Sequence, residues 1–188
     1  MVCTNKDRQM IDDSYLVKRC LERDRKCQRL LYEKYASLML GVLMRYAGNR
    51  AEAEDILQEG FVKAFMNMKQ YAGTGSFSGW LKSIMINTAI THFHRNRNFR
   101  EQGPIDSVGD SYLKDHGEVS GLERLKEDDL LKVISGLPPG FRLVFNLYAI
   151  EGYKHHEIAE MLNIDEGTSK SQYSRARKLI RERLGKRQ

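Results

Sequence analysis

Apolar residues recur along this chain at intervals of three and four, the period of helices with one buried face, and no segment alternates as a strand does. Leu31, Tyr35, Leu38, Met39, Val42 and Tyr46 form one stripe, with Gly48-Asn49 as its expected stop. Leu57, Phe61, Ala64, Phe65 and Met68 form the next. After a loop of small residues at 72–75, a further stripe runs through Phe77, Trp80, Leu81, Ile84 and Thr88, with Ser76 or Ser78 as its cap. An earlier helix from about Tyr15 completes an all-α N-terminal domain over residues 15–100.

The pattern then fails. Residues 101–121 carry Gly103-Pro104, Gly109 and Gly117 without periodicity and read as a flexible linker. From 101 to 129 nine acids face three bases, a balance of −6. Helical spacing resumes in Leu122, Leu125, Leu130, Val133, Ile134 and Leu137, and Pro138-Pro139 breaks it. Pro139 fits the first turn of a following helix, whose buried face is expected to be Phe141, Val144, Phe145 and Tyr148. The predicted fold is all-α, two small helical domains (15–100 and 122–185) joined by the acidic linker.

Within the second domain, residues 153–171 read as a short helix, a tight turn and a second helix, the pattern of a helix-turn-helix. Ala159 is small enough for a close crossing, and Ile158, Leu162 and Ile164 supply its apolar contacts. Asn163 tolerates the left-handed conformation needed at the end of the first helix, and Asp165 is a good N-cap for the second. Beyond it, from Lys170 to the end, eight bases face one acid, a local balance of +7. The whole chain of 188 residues has a net charge of +6, so the remainder is close to neutral and the polyanion-binding charge is concentrated here.

Other chemistry is sparse. Cys3, Cys20 and Cys27 are odd in number and lack zinc-type spacing, which fits a reducing cytoplasm with Cys20 and Cys27 as apolar filler on one helix. His92 and His94, two apart on a helix, point to different sides and make a poor metal pair. No nucleophile, Gly-rich phosphate loop or paired-carboxylate motif is present, so neither an enzyme nor a cofactor is expected. The longest apolar run, residues 38–44, is too short to span a bilayer, and no membrane insertion is expected.

Asp55-Ile56-Leu57-Gln58-Glu59-Gly60-Phe61-Val62-Lys63-Ala64-Phe65, then Phe77-Ser78-Gly79-Trp80-Leu81, Asn87-Thr88-Ala89 and Leu137-Pro138-Pro139 with the helix-turn-helix, together resemble a bacterial sigma factor of the extracytoplasmic-function (ECF) group. The resemblance covers about residues 15–184. It implies that the first domain is sigma region 2, that the second is region 4, and that the linker replaces the middle domain of larger sigma factors. Its implied partners are core RNA polymerase, through the β′ clamp and the β flap, promoter DNA and an anti-sigma factor.

Helical spacing leaves Asp55, Gln58, Glu59 and Lys63 on an outer face, and the resemblance implies that this face grips the β′ coiled-coil clamp. By the same resemblance Asn87 belongs to a pocket that captures a base flipped from the non-template strand of the minus-ten element. An amide offers both donor and acceptor to a base edge. Ser83 and Ile84 stand about where housekeeping sigma factors carry a melting pair of tryptophans, which implies a stricter promoter choice. Phe77, Trp80 and Leu81 are expected in the core rather than stacked on DNA. His92, Arg95, Arg97 and Arg100 interleave with aromatic rings as in single-strand binders and are expected beside the melted strand.

In region 4 the implied base-reading positions are Lys170, Ser171, Ser174 and Arg175, with Arg177 and Lys178 as further minus-thirty-five contacts and Thr168 at a phosphate. Ser169 and Tyr173 depart from the family pattern, in which Val or Ile and Leu are commonest, so the packing beneath this helix is expected to differ. The linker is expected to run through the polymerase cleft toward the RNA exit path. Against this stand an operator-binding regulator, a metal-dependent nuclease built on His92 and His94, and a protein adaptor. The first needs a dimerisation surface that the sequence does not display, the second fails on spacing, and the +7 tail argues against the third.

Overall fold

The computed structural model describes residues 12–71, 73, 75–101 and 127–185, without the side chains of 97–101 and 127–130. The expected linker, but for the backbone of Glu101, lies outside the described residues, as do Leu122 and Leu125. All regular structure among the described residues is helical, as expected. It comprises α1 (Asp13–Leu21), α2 (Arg25–Leu43), α3 (Arg50–Met66), a 3₁₀ turn (Met68–Gln70) and α4 (Phe77–Glu101). After these come α5 (Glu127–Ser135), α6 (Pro139–Phe145), a π turn (Asn146–Ile150), α7 (His155–Leu162) and α8 (Glu166–Gly185). The chain divides into two compact units between Ala89 and Ile90, inside α4.

Side-chain caps set the helix starts of the first unit. Asp24 accepts from the N–H groups of Lys26 and Cys27 at 2.9 and 3.3 Å, and Arg19 of α1 grips the same carboxylate at 2.7 Å. These contacts, the Cys27 N–H foremost, hold the Asp24 carboxyl below the usual carboxylate range. Asn49 accepts from Glu52 N–H at 2.9 Å while Glu52 accepts from Gly48 N–H at 2.6 Å. Gly48-Asn49 therefore opens α3 rather than closing α2, which already ends at Leu43. For α4 the cap is Ser76, whose Oγ accepts from Gly79 N–H at 3.1 Å.

Leu16, Leu31, Met39, Leu43, Ile56 and Phe77 fill the core of this unit, each at most 2% exposed. Leu38, expected in the stripe, is 56% exposed. Asp13, the first residue of α1, already meets Tyr35 through its carboxylate, so α1 covers nothing a turn further along α2. On α4 the buried line passes through Leu81 and Met85, with Ile84 only half-buried. Cys20 and Cys27 are both buried but lie on α1 and α2, not on one helix, because the chain turns at Arg23 with φ 61°. Helix α3 comes close to α4 at Gly60, where a Cβ would sit 2.3 Å from the buried Met85 Sδ, so only glycine fits without displacing that side chain.

In the second unit Val133, Leu137, Ala176 and Ile180 form a core, with Phe141, Phe145, Leu179 and Leu184 packed against it. Pro139 opens α6 as expected. Buried Arg142 donates to the Ser135 carbonyl at 2.5 Å, satisfying the end of α5. The buried face beyond it is Leu143, Val144 and Leu147, and Tyr148 is 38% exposed instead of buried. The backbone widens into the π turn at 146–150. Asn163, at φ 50° and ψ 55°, ends α7 in the left-handed conformation, and the Asp165 carbonyl accepts from Ser169 N–H at 3.0 Å as α8 begins. Ile158, Ala159 and Leu162 are buried at the crossing.

Candidate polymerase and promoter interfaces

On α3 the apolar side faces the core through Ala53, Ile56, Leu57, Phe61 and Ala64. Opposite them Asp55 and Gln58 are exposed, and half-exposed Glu59 and Lys63 are ion-paired at 2.9 Å. All four expected residues share this outer side. The structure adds two that periodicity missed, Val62 at 57% and Met66 at 78% exposure. Residues 55, 58, 59, 62 and 66 make one continuous stripe, so carboxylates at one end give way to bare aliphatic surface at the other. The clue in the sequence is that positions 62 and 66 fall at helical spacing with Asp55, Gln58 and Glu59 rather than with Ile56, Phe61 and Ala64. Beside Gln58 a shallow hollow of about 220 Å³ opens between α2 and α3, floored by Tyr32, Leu40 and Leu57.

Asn87 is exposed on α4, and Arg95 is exposed further along that helix. Thr88, next to Asn87, is buried and donates to the Ile84 carbonyl at 2.8 Å, which leaves Asn87 as the outward member of its pair. Half-buried His92 shares a hydrogen bond with Asn96 at 3.2 Å, one turn on. Phe77 and Leu81 are buried as expected, whereas Trp80 is half-buried, its ring 5.5 Å from those of Tyr71 and Phe77. The side chains of Arg97 and Arg100 lie outside the described residues.

Helix α8 turns Ser169, Ala176 and Ile180 inward. The directly opposite side carries Ser171, Ser174 and Lys178, all exposed, with Lys170 and Arg177 along one flank and Arg175 along the other. Thr168 is half-buried and its carbonyl accepts from Ser171 Oγ at 2.9 Å. Short hydroxyls and long cations on one exposed side offer both hydrogen-bonding groups for base edges and charge for phosphates. Several of these cations have acidic partners within the helix: Lys170 pairs with Glu166 at 2.7 Å, and Lys178 approaches Glu182 at 3.9 Å. The hydrogen bond from Lys170 holds the Glu166 carboxyl below its usual range. Arg183 turns back to the Val133 carbonyl of α5 at 3.4 Å, so its charge serves the fold.

At Ser169 and Tyr173 the packing beneath α8 is polar and aromatic. Ser169 is fully buried and joins His155 Nδ1 at 2.9 Å, and Tyr173 enters a group of rings with Phe145, Tyr148 and His155. Spacing alone did not show that His155 would serve as the partner.

Two family models match the chain, Sigma-70 region 2 over residues 31–99 and Sigma-70, region 4 over residues 127–180. The RNA polymerase sigma-H factor of Pseudomonas aeruginosa is 32% identical over 180 residues, covering 89% of this chain and 91% of that relative. The ECF RNA polymerase sigma-E factor of Haemophilus influenzae is 30% identical over 189 residues, covering 94% and 97%. The chain belongs to the ECF group of the sigma-70 family. This sigma factor is thus a transcription initiation factor of a family that binds core RNA polymerase and promoter DNA and is not a family of enzymes. Among solved structures it is similar to the sigma factor RpoE in complex with the anti-sigma factor NepR from Bartonella quintana, at 24% identity and a TM-score of 0.48, covering 82% of this chain and 96% of that one. It is also similar to CnrH in complex with the cytosolic domain of CnrY, at 17% identity and a TM-score of 0.48, covering 94% and 99%. Among the described residues no helix is long and apolar enough to cross a membrane.

Proposed function

We propose that this sigma factor divides its task between three helices. The outer stripe of α3, from Asp55 through Gln58, Glu59 and Lys63, engages the β′ clamp. Asn87, His92, Arg95, Arg97 and Arg100 of α4 capture the melted minus-ten strand. Helix α8 enters the major groove at the minus-thirty-five element, with Lys170, Ser171, Ser174 and Arg175 toward bases and Thr168, Arg177 and Lys178 toward phosphates. The first domain spans 15–100 and the second, which also meets the β flap, spans 122–185. The acidic stretch 101–121 links them through the polymerase cleft.

The observation that carries this reading is the outward side of α8, where exposed Ser171, Ser174 and Lys178 lie between Lys170 and Arg177 on one flank and Arg175 on the other, on the second helix of a helix-turn-helix. The reading includes an anti-sigma factor as regulatory partner, action in the bacterial cytoplasm with polymerase on the nucleoid, no catalytic activity and no cofactor or metal. Run-off transcription with purified core polymerase and genomic promoter fragments tests it. Defined starts from a limited promoter set are expected. Failure to join core at low salt, combined with binding of a DNA operator by the chain alone, would replace it with an ordinary regulator.

A further inference from the structure

Where α7 meets α8, part of the contact is made by hydrogen-bonded and stacked side chains. The Ser169 hydroxyl meets His155 Nδ1 at 2.9 Å. The His155 ring lies nearly parallel to Tyr148, with centroids 4.2 Å apart and planes 12° apart. Tyr148 meets Tyr173 at 4.5 Å, and the Arg177 guanidinium stands 5.7 Å from the Tyr173 ring centre. Ser169, Tyr173 and Arg177 are spaced by four and form one column along α8.

Aliphatic contacts are non-directional and tolerate a small rotation of one helix against another. A hydrogen bond weakens steeply with misalignment, and stacked rings have preferred offsets. Ser169 points opposite to Ser171 and Ser174, so any rotation of α8 that moves Ser169 moves those two through the same angle. We propose that His155, Tyr148, Ser169 and Tyr173 are positioning residues that fix the rotation of α8 about its own axis and hold Arg177 on one flank of its outward side. They thereby set base preference at the minus-thirty-five element without touching DNA. The inference rests on the reading of α8 as the minus-thirty-five reader.

The test is run-off transcription by the full chain with core polymerase on promoters carrying single-base changes across the minus-thirty-five element. Melting temperature, minus-ten preference and core affinity are measured alongside. Ser169→Ala and His155→Ala are expected to reduce discrimination between the best and second-best minus-thirty-five base about fivefold, the worth of one net hydrogen bond. Minus-ten preference and core affinity stay at the wild-type level. His155→Asn places a polar atom close to the Nδ1 position and is expected to restore the preference. A merely structural role lowers the melting temperature and leaves the preference as it was. Tyr173→Leu keeps apolar packing under α8 while removing the ring, and it decides the matter where Ser169→Ala does not fold at the assay temperature. Wild-type base preference in the folded Ser169→Ala and Tyr173→Leu proteins overturns the proposal. A wild-type protein indifferent to every minus-thirty-five change overturns the reading of α8 itself, and this inference with it.

Discussion

The outer face of α3 and the outer face of α8 are both helical surfaces turned away from a core, yet they are made of different material. On α3 acidic and amide groups run into bare Val62 and Met66, whereas the outward side of α8 combines Ser171 and Ser174 with Lys170, Arg175, Arg177 and Lys178 and exposes no large apolar side chain. A protein partner can bury aliphatic surface, and the gain is insensitive to salt. A nucleic-acid partner instead releases counterions, and the gain falls steeply as salt rises. The two faces are thus matched to two kinds of partner by the physics of desolvation on one side and of charge on the other.

The sharpest way to break this comparison is to put charge on the aliphatic end of α3. Met66→Asp and Val62→Asp are each expected to weaken binding to core polymerase by about 2 kcal/mol or more, at low and high salt alike, in a titration followed by fluorescence anisotropy. Asp55→Lys is expected to weaken the same complex by less, with an effect that fades as salt rises. On α8 the loss of Lys170 or Arg175 is expected to cost about 1–3 kcal/mol at the minus-thirty-five element if the side chain reads a base, or to lower the salt slope if it meets phosphate. Promoter binding measured across a salt series separates these outcomes.

Smaller in equilibrium terms is the effect of Asn87→Ala. It should slow open-complex formation and relax discrimination at one minus-ten position, while core binding and minus-thirty-five preference persist. Permanganate footprinting with a minus-ten substitution series shows this, and wild-type melting with unchanged base preference would make Asn87 a residue of the fold. The smallest effect concerns Cys20, whose thiol burial pushes up from 9.0 to about 11. In that window the unfolded chain gives up its proton before the folded one, so the contribution is full below about pH 9 and is lost as pH rises toward 11. Denaturant titrations of wild type and Cys20→Ala across this range should converge as pH rises, and a thiol reagent at pH 8 should label Cys20 only slowly.

Much of this was legible in the sequence, and the omissions have physical causes. The helices, the Asn163 turn and the polar side of α3 follow from period and propensity, which are local. Leu38 and Ile84 were misplaced because a stripe wider than the neighbouring helix looks the same in sequence as one that is fully covered. Tyr148 is exposed because the buried face runs through Leu143, Val144 and Leu147, and two apolar stripes side by side on one helix look equally good in sequence. The Ser169–His155 bond spans fourteen positions and two helices, so only the fold brings its partners together.

The contact between Gly60 and Met85 has a mechanical consequence. It seats the backbone of the proposed clamp-binding helix directly against a sulfur on the helix that carries Asn87. In the proposed initiation complex this contact lies between the clamp-binding face and the base-capturing helix, and Met85, unbranched and polarizable, is the adjustable part of it. A larger residue at position 60 would be met by movement of that thioether before either backbone shifts.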